Sequence, residues 1–378
     1  MKEYIEIPYW ITLAHLPKWG TEKINRLIIK IIHDNQMTLE TFFNSENEWK
    51  STFALSDTDI LDLKKAKSEL ANNAFLAEDL LSQGFEVVPV NSNEYSNILK
   101  TNLKIKAPTV LYIKGNTQIM QENSIAIVGS RDADTISLQF TDNVAKKACE
   151  QNKAVVSGFA RGVDKQALDS AILYKGKSII VLPQGIMTFG SGIKKYYKEV
   201  NQGNILIVSS FHPKAVWSTH LAMARNPIIY GMASEIYVAQ SSESGGTWAG
   251  VIDGLKKERV IFVRKPNEHE NNANLILIQK GAKPVDNEGN IIDEMENIKT
   301  AEKENLNSEK NEMEKIIALL QQKPLTLKQI LEKVPLNISD KELTQKLKSL
   351  PNIQTIKKSN KIHYLISHEI PTLFITGK

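Results

Sequence analysis

Ile125-Ala126-Ile127-Val128-Gly129-Ser130-Arg131, followed by Ser157-Gly158-Phe159-Ala160-Arg161-Gly162-Val163-Asp164, is the stretch that decides the fold. Each segment continues a short apolar run into a glycine-containing turn that carries an arginine. The spacing leaves room for one crossover helix, so the two runs read as parallel strands of a βαβ unit. A strand end of this kind delivers backbone N–H groups and a guanidinium to one place, which is a way of holding phosphate.

Outward from that unit, strands and helices alternate from Ser124 to about Val285. Strands are expected at Ile125–Val128, Ala154–Ser157, Ser178–Leu182, Ile205–Ser209, Ile236–Ala239 and Val260–Val263. They are continuous apolar runs rather than alternating ones, as a parallel sheet covered on both faces requires. Phe85–Pro89 and Thr109–Ile113 read as strands leading into this core. Before them, Tyr4 to about Ala77 carries apolar residues at helical spacing, as in Ile24, Leu27, Ile28, Ile31 and Ile32, and forms a helical domain over 1–80. Within it, Leu16-Pro17-Lys18-Trp19-Gly20-Thr21 reads first as a glycine turn with Thr21 as N-cap, and second as half of a helix-hairpin-helix.

The core runs over 81–290. Residues 291–310 are charged and poor in large apolar side chains, as in Lys303-Glu304-Asn305-Leu306-Asn307-Ser308-Glu309-Lys310, and read as a linker or exposed helix. Over 311–378, helical patterns at Glu312–Gln321, Thr326–Lys333 and Asp340–Ser349 precede a hairpin of Ile353–Ile356 with Ile362–Ile366, turned at Lys358-Ser359-Asn360. Three helices and a hairpin describe a winged helix-turn-helix. Lys341, Lys346 and Lys348 fall on its third helix and Lys357, Lys358 and Lys361 on its wing, positions that suit a duplex. Winged helices also dock proteins, and both roles stay open here.

Composition sets limits. Lys and Arg total 47 against 43 Asp and Glu, a net charge of +4, so nucleic-acid binding has to come from local clustering. The single cysteine, Cys149, rules out an intrachain disulfide and a multi-cysteine zinc site, and reads as an idle thiol. Glu3, Glu6 and Pro8 interrupt the apolar residues at the start of the chain, and nowhere do about 18 apolar residues run together, so a cytoplasmic protein with no membrane partner is expected. The chain has no Gly-x-x-x-x-Gly-Lys-Ser/Thr loop, no His/Cys ligand array and no Gly-x-Ser-x-Gly elbow, so no catalytic residue, metal ligand or cofactor is expected.

On a parallel sheet both glycine-arginine turns lie at carboxyl ends of strands and share a crevice. Gly129 and Gly158 let the backbone approach an anion. Gly162 opens a helix whose Asp164 either complements its dipole or clamps Arg161. Arg225 and Asn226 sit just ahead of a helix. Ser241 to Thr247, with Ser244, Gly245 and Gly246, follows a strand and forms a third cradle. Lys194 and Lys195, beside Tyr196 and Tyr197, read either as a loop suited to single-stranded nucleic acid or as a solvated helix face. His212 and Trp217 could stack on bases, but packing is the preferred reading.

Taken in order, Gly129-Ser130-Arg131, Ser157-Gly158…Arg161-Gly162-Val163-Asp164, Ile180-Val181-Leu182 ahead of Gly185, Arg225-Asn226, Ser244-Gly245-Gly246 and Leu275-Ile276 before Gly281-Ala282 resemble the DprA/Smf family of bacterial DNA-processing proteins. Ala107-Pro108…Gly115-Asn116 is similar to the entry of that family's core. The resemblance implies an α/β protein with a Rossmann-like parallel sheet core, a helical N-terminal domain and a C-terminal winged helix. It further implies a non-enzymatic homodimer that binds single-stranded DNA and helps load the bacterial recombinase on incoming DNA. Arg131 and Arg161 would hold phosphates, Arg225 and Asn226 would shape the pocket, and Ser244–Gly246 would support it.

The chain departs from the family pattern at Leu168, Ser210, Pro227 and Gln240, which replace a histidine, an acid, an arginine and an acid. An alternative lies in the wider superfamily, some of whose enzymes cleave nucleotide glycosidic bonds through Gly-Gly-x-Gly-Thr-x-x-Glu. Gly245-Gly246-Thr247 is similar to that loop, but Gly250 stands where its glutamate would be, which leaves a sensor of a nucleotide-derived ligand as the alternative. A protein adaptor working through its helical ends is the third class.

Overall fold

The computed structural model describes residues 2–292, 314–334, 343–345, 347, 353–358 and 361–366. It divides into two compact units, Met1–Ile292 and Asp293–Lys378.

The first unit is built on a nine-stranded sheet of order β1-β2-β6-β5-β4-β3-β7-β8-β9. Its strands are β1 Glu86–Pro89, β2 Val110–Gly115, β3 Ser124–Val128, β4 Ala154–Ser157, β5 Ser178–Val181, β6 Ile205–Ser209, β7 Glu235–Val238, β8 Val260–Arg264 and β9 Lys283–Val285. From β6 to β9 every pairing is parallel. The strands from Ser124 to Val285 pair in parallel as expected, and the two lead-in strands extend that sheet in the other sense: β1 pairs antiparallel with β2, and β2 antiparallel with β6. Parallel pairing needs a long crossover. β2 passes to β3 through the short turn Thr117–Gln121 alone, so it joins the sheet in the opposite sense.

Every residue of β3, β4, β5 and β6 is buried, which is why these strands read as unbroken apolar runs. Alternate side chains of β3 enter different cores. Ile125 and Ile127 pack with Phe140 and Val144 of α7 (Thr135–Glu150) and Ala167 of α8 (Val163–Leu173). Ala126 and Val128 pack with Ile228 and Ile229 of α11 (Thr219–Gly231) and Val251 of α12 (Gly245–Lys256). Each buried Ile, Val or Phe among them contributes about 1.5–3 kcal/mol by leaving water.

The N-terminal helices are α1 Lys2–Ala14, α2 Thr21–Ile28, α3 Leu39–Asn44, α4 Asp57–Ser68 and α5 Leu70–Ser82. Thr21 is not the N-cap of α2. That position is Gly20, which offers no side-chain cap. Trp49, Phe42, Phe43 and Phe53 form a buried aromatic knot, and this core continues without a break into Tyr112, Ile180, Leu182 and Ile205 of the sheet region. The helices over 1–80 and the sheet therefore share one core within one unit. The remaining helices of this unit are α6 Asn97–Leu103, α9 Gly190–Lys195, α10 Tyr197–Asn201 and α13 Asn274–Gln279.

In the second unit, helix α14 spans 314–322, α15 spans Leu327–Lys333 behind a Thr326–Gln329 capping box, and β10 (Ile353–Lys358) pairs antiparallel with β11 (Lys361–Ile366). Ile316, Leu320, Ile330, Leu343, Leu347 and Tyr364 form its core. The expected linker from residue 293 onward, Lys341, Lys346, Lys348 and the Ser359-Asn360 turn lie outside the described residues.

Candidate nucleic-acid interface

Strand order changes direction at β3, whose neighbours are β4 on one side and β7 on the other. The chain leaves β3 for α7 and β7 for α12, so a crevice opens between the two loops at the carboxyl edge. Two joined clefts fill it. One, of about 380 Å³, is lined by Gly129, Ser130, Arg131, Asp164, Arg225, Asn226 and the Ser241–Thr247 loop. The other, of about 510 Å³, is lined by Arg131, Gly158, Arg161, Gln184, Phe189 and Trp217. Ten of the sequence-derived site residues thus come together: Gly129, Ser130, Arg131, Gly158, Arg161, Arg225, Asn226, Ser244, Gly245 and Gly246.

Their roles differ from the sequence reading. The backbone donors of the first turn are engaged within the protein: Ser130 N–H donates to the Gln240 carbonyl at 2.9 Å and Asp132 N–H to Ser130 Oγ at 3.1 Å. Gly129 is a packing glycine, since a Cβ there would lie 2.5 Å from Val163 Cγ2. Gly158 makes room for a guanidinium: a Cβ would fall 1.5 Å from Arg225 Nη1. Gly162, at φ +80°, is the N-cap of α8 and carries no room for a Cβ beside the Ser130 carbonyl. Ser157 is buried, its Oγ donating to the Ile127 carbonyl at 3.0 Å.

Arg225 lies inside α11 rather than ahead of it, as does Asn226, and only 3% of Arg225 is exposed. Nη1 donates to the Val181 carbonyl at 2.9 Å, Nη2 stands 4.0 Å from Asp164 Oδ2, and Nε has no partner. The Asp164 clamp therefore acts on Arg225 and not on Arg161. Burial pushes the Asp164 carboxyl up, against the pull of Arg225 and the Ala160 N–H. Burial also disfavours the charged form of Arg225, and Arg131 adds to this by repulsion. Removing one member of such a pair typically costs about 3–5 kcal/mol.

Arg131 and Arg161 are exposed at the mouth. Arg161 pairs with Asp132, but the two side chains are 76% and 81% exposed, and such a surface pair is worth about 0–1 kcal/mol. A phosphate can displace it. Opposite stands the N-terminus of α12, whose N-cap Ser244 makes no side-chain cap and whose Gly245 has φ +89°. Its first N–H groups and dipole complement an anion. Thr247 Oγ1 donates to the Gly129 carbonyl at 3.1 Å, and Asn226 Nδ2 to the Gly246 carbonyl at 3.4 Å, fixing this terminus against β3 and α11.

Lys194 and Lys195 occupy helix α9, not a loop, and line neither cleft. Lys195 Nζ instead lies 5.3 Å from the ring of buried Tyr196, while Tyr197 points outward. Sequence reading undervalued Trp217, which is 51% exposed and lines the cleft with Arg131 and Arg161. It missed Phe159, which lines the same cleft, has φ 61° and makes edge contacts with Phe189 and Tyr196 at 5.0 and 5.8 Å. No single-residue signal marks a non-glycine that adopts this backbone.

Of the four departures from the family pattern, Leu168 is buried in the core and Gln240 accepts from Asp134 N–H at 3.0 Å through Oε1. Pro227 lies inside α11, and Ser210 lines a cavity on its far side and neither cleft of the crevice. Gly250 is packed on Tyr230, whose ring a Cβ would meet at 2.7 Å, so the place of a catalytic glutamate is filled. Among the described residues no group of three or more His, Cys, Asp or Glu could hold a metal, and no helix is long and apolar enough to cross a membrane. Burial pushes the Cys149 thiol up, away from the reactive thiolate.

A model of the DNA recombination-mediator protein A family matches residues 86–296, more than half of the chain and all of the sheet. The chain belongs to this family. It is 26% identical over 216 residues to DNA processing protein DprA of Bacillus subtilis, covering 56% of this chain and 72% of that protein. It is 27% identical over 192 residues to DNA processing protein DprA of Streptococcus pneumoniae, covering 50% and 68%. The X-ray structure of the Streptococcus pneumoniae protein superposes with a TM-score of 0.51 at 23% identity, over 71% of this chain and 95% of that one, a likeness of fold. Members of the family are DNA-binding proteins and not enzymes.

Proposed function

We propose that the crevice holds the backbone of single-stranded DNA, and that the chain serves DNA processing by delivering that strand to a recombinase. The observation that carries this reading is the convergence of exposed Arg131 and Arg161 with the uncapped α12 N-terminus on one crevice. Positive groups of this kind grip phosphates without reading sequence. Trp217, 51% exposed beside them, offers a ring on which a base stacks, and Met223, 44% exposed, an apolar contact in the joined cleft. A Rossmann-like core, a homodimer and recombinase loading belong to the same reading and rest on family membership, and a winged-helix second unit rests on the helices and the β10–β11 pair that follow the matched residues.

The test is fluorescence anisotropy of a labelled single-stranded oligonucleotide with the wild type, Arg131→Ala and Arg161→Ala. Each variant is expected to weaken binding by about 1–3 kcal/mol, as for loss of a charge-assisted contact. Unchanged affinity in both removes the crevice from the account. A mononucleotide that displaces the strand at equal phosphate concentration would favour the nucleotide-sensor alternative.

A further inference from the structure

A third cleft, of about 230 Å³, adjoins the α12 side of the crevice through Asn226 and Gly246, and a fourth cavity, of about 960 Å³, adjoins the third through Pro227 and Arg259. Successive clefts take successive faces of α11. Ala222 and Arg225 line the crevice, Met223, Asn226 and Tyr230 line both the crevice and the intermediate cleft, and Leu221, Ala224 and Ile228 line the large cavity. The result is a trough that winds around one helix whose thirteen residues span about 20 Å.

The far end of the trough is as cationic as the near one. Lys104, Lys106, Lys257 and Arg259 line the large cavity, and no carboxylate does. Lys104 and Lys106 are exposed on the short turn Lys104–Lys106. Asp253 lines the intermediate cleft and is paired with Lys257 at 2.6 Å, both side chains about half exposed, and Arg259 donates to the Ala233 carbonyl. Glu22 lies near Lys106 and is itself taken by Arg26 at 2.7 Å. An exposed cationic turn beside a half-exposed lysine draws in polyanion.

We propose that this trough is a continuous track for single-stranded nucleic acid, and that Lys104 and Lys106, with Lys257 and Arg259, hold the part of the strand that extends past the Arg131 crevice. The inference rests on the reading of that crevice as a strand-binding site.

The experiment compares oligothymidylates of about 6 and about 30 nucleotides, lengths that bracket single-module site sizes. Anisotropy is measured over a salt series with wild type, the Lys104→Gln/Lys106→Gln double variant and Arg131→Ala, each full-length chain checked by its melting temperature. The double variant is expected to bind the long strand about tenfold more weakly, with the slope of log K against log salt shallower by about 1.4 for two lost phosphate contacts, and to bind the short strand as wild type does. Arg131→Ala is expected to weaken both lengths. Wild-type affinity and slope for both lengths in the double variant overturn the second segment while leaving the crevice intact, and an equal loss for both lengths also overturns it. Failure of the wild type to bind either length removes the crevice reading itself.

Discussion

Gly158 shows how a residue can be identified in sequence and still be misread. Its position after an apolar run marked a turn, and a turn glycine beside an arginine suggests backbone approach to an anion. The approaching group is the protein's own guanidinium, that of Arg225, which holds Asp164 and the Val181 carbonyl beneath the crevice floor. Nothing local in the sequence pairs residues so far apart in the chain. The prediction is direct: Gly158→Ala drives Arg225 from its seat and leaves Asp164 buried without its partner, at a cost of about 3–5 kcal/mol, the range for breaking a buried pair. Urea denaturation of the full chain measures it. Wild-type stability in this variant would mean that Arg225 relocates freely and is not the support described. Arg131 and Arg161, by contrast, lie exposed at the crevice mouth, where the sequence reading placed them from their turns at the carboxyl ends of strands.

Among elements, the fully buried strands were the easiest to read, since unbroken apolar runs such as Ile205–Ser209 admit little else. The short edge strand Lys283–Val285 carries a proline in three residues and gives no pattern. Helix α11 hid because Arg225-Asn226-Pro227 in its middle has the composition of a turn. Packing of its apolar residues against the sheet outweighs the lost backbone bond. The antiparallel edge was also hidden, because pairing sense depends on connections and not on composition. That edge carries its own prediction. His15, just past α1, bonds Tyr112 Oη of β2 at 2.8 Å and contacts the His212 ring at 5.2 Å. Burial, reinforced by His212, pushes its pKa from 6.5 down to about 3, and burial and Lys214 lower His212 as well. Folded His15 is therefore neutral where the unfolded chain takes up a proton. Its stabilising contribution is complete above pH 6.5 and is lost as pH falls through the window toward 3, by up to about 1.4 kcal/mol per pH unit. Urea midpoints at about pH 7 and about pH 5 should fall more in the wild type than in His15→Gln. An equal fall in both would show that the helix–sheet contact at His15 does not depend on its neutral form.

At the scale of the whole molecule, a net charge of +4 says little, because the function depends on where charges meet. The change of strand order at β3 gathers arginines from two loops and a helix N-terminus from a third, and the surrounding cores hold those loops in place. Hydrogen exchange of the full chain with and without a single-stranded oligonucleotide tests this most directly. Slowed exchange concentrated at 129–132, 158–164 and 241–247 is the predicted result. Protection confined to the Ile353–Ile366 hairpin, with those three loops unchanged while the strand is bound, would contradict the crevice as the binding site.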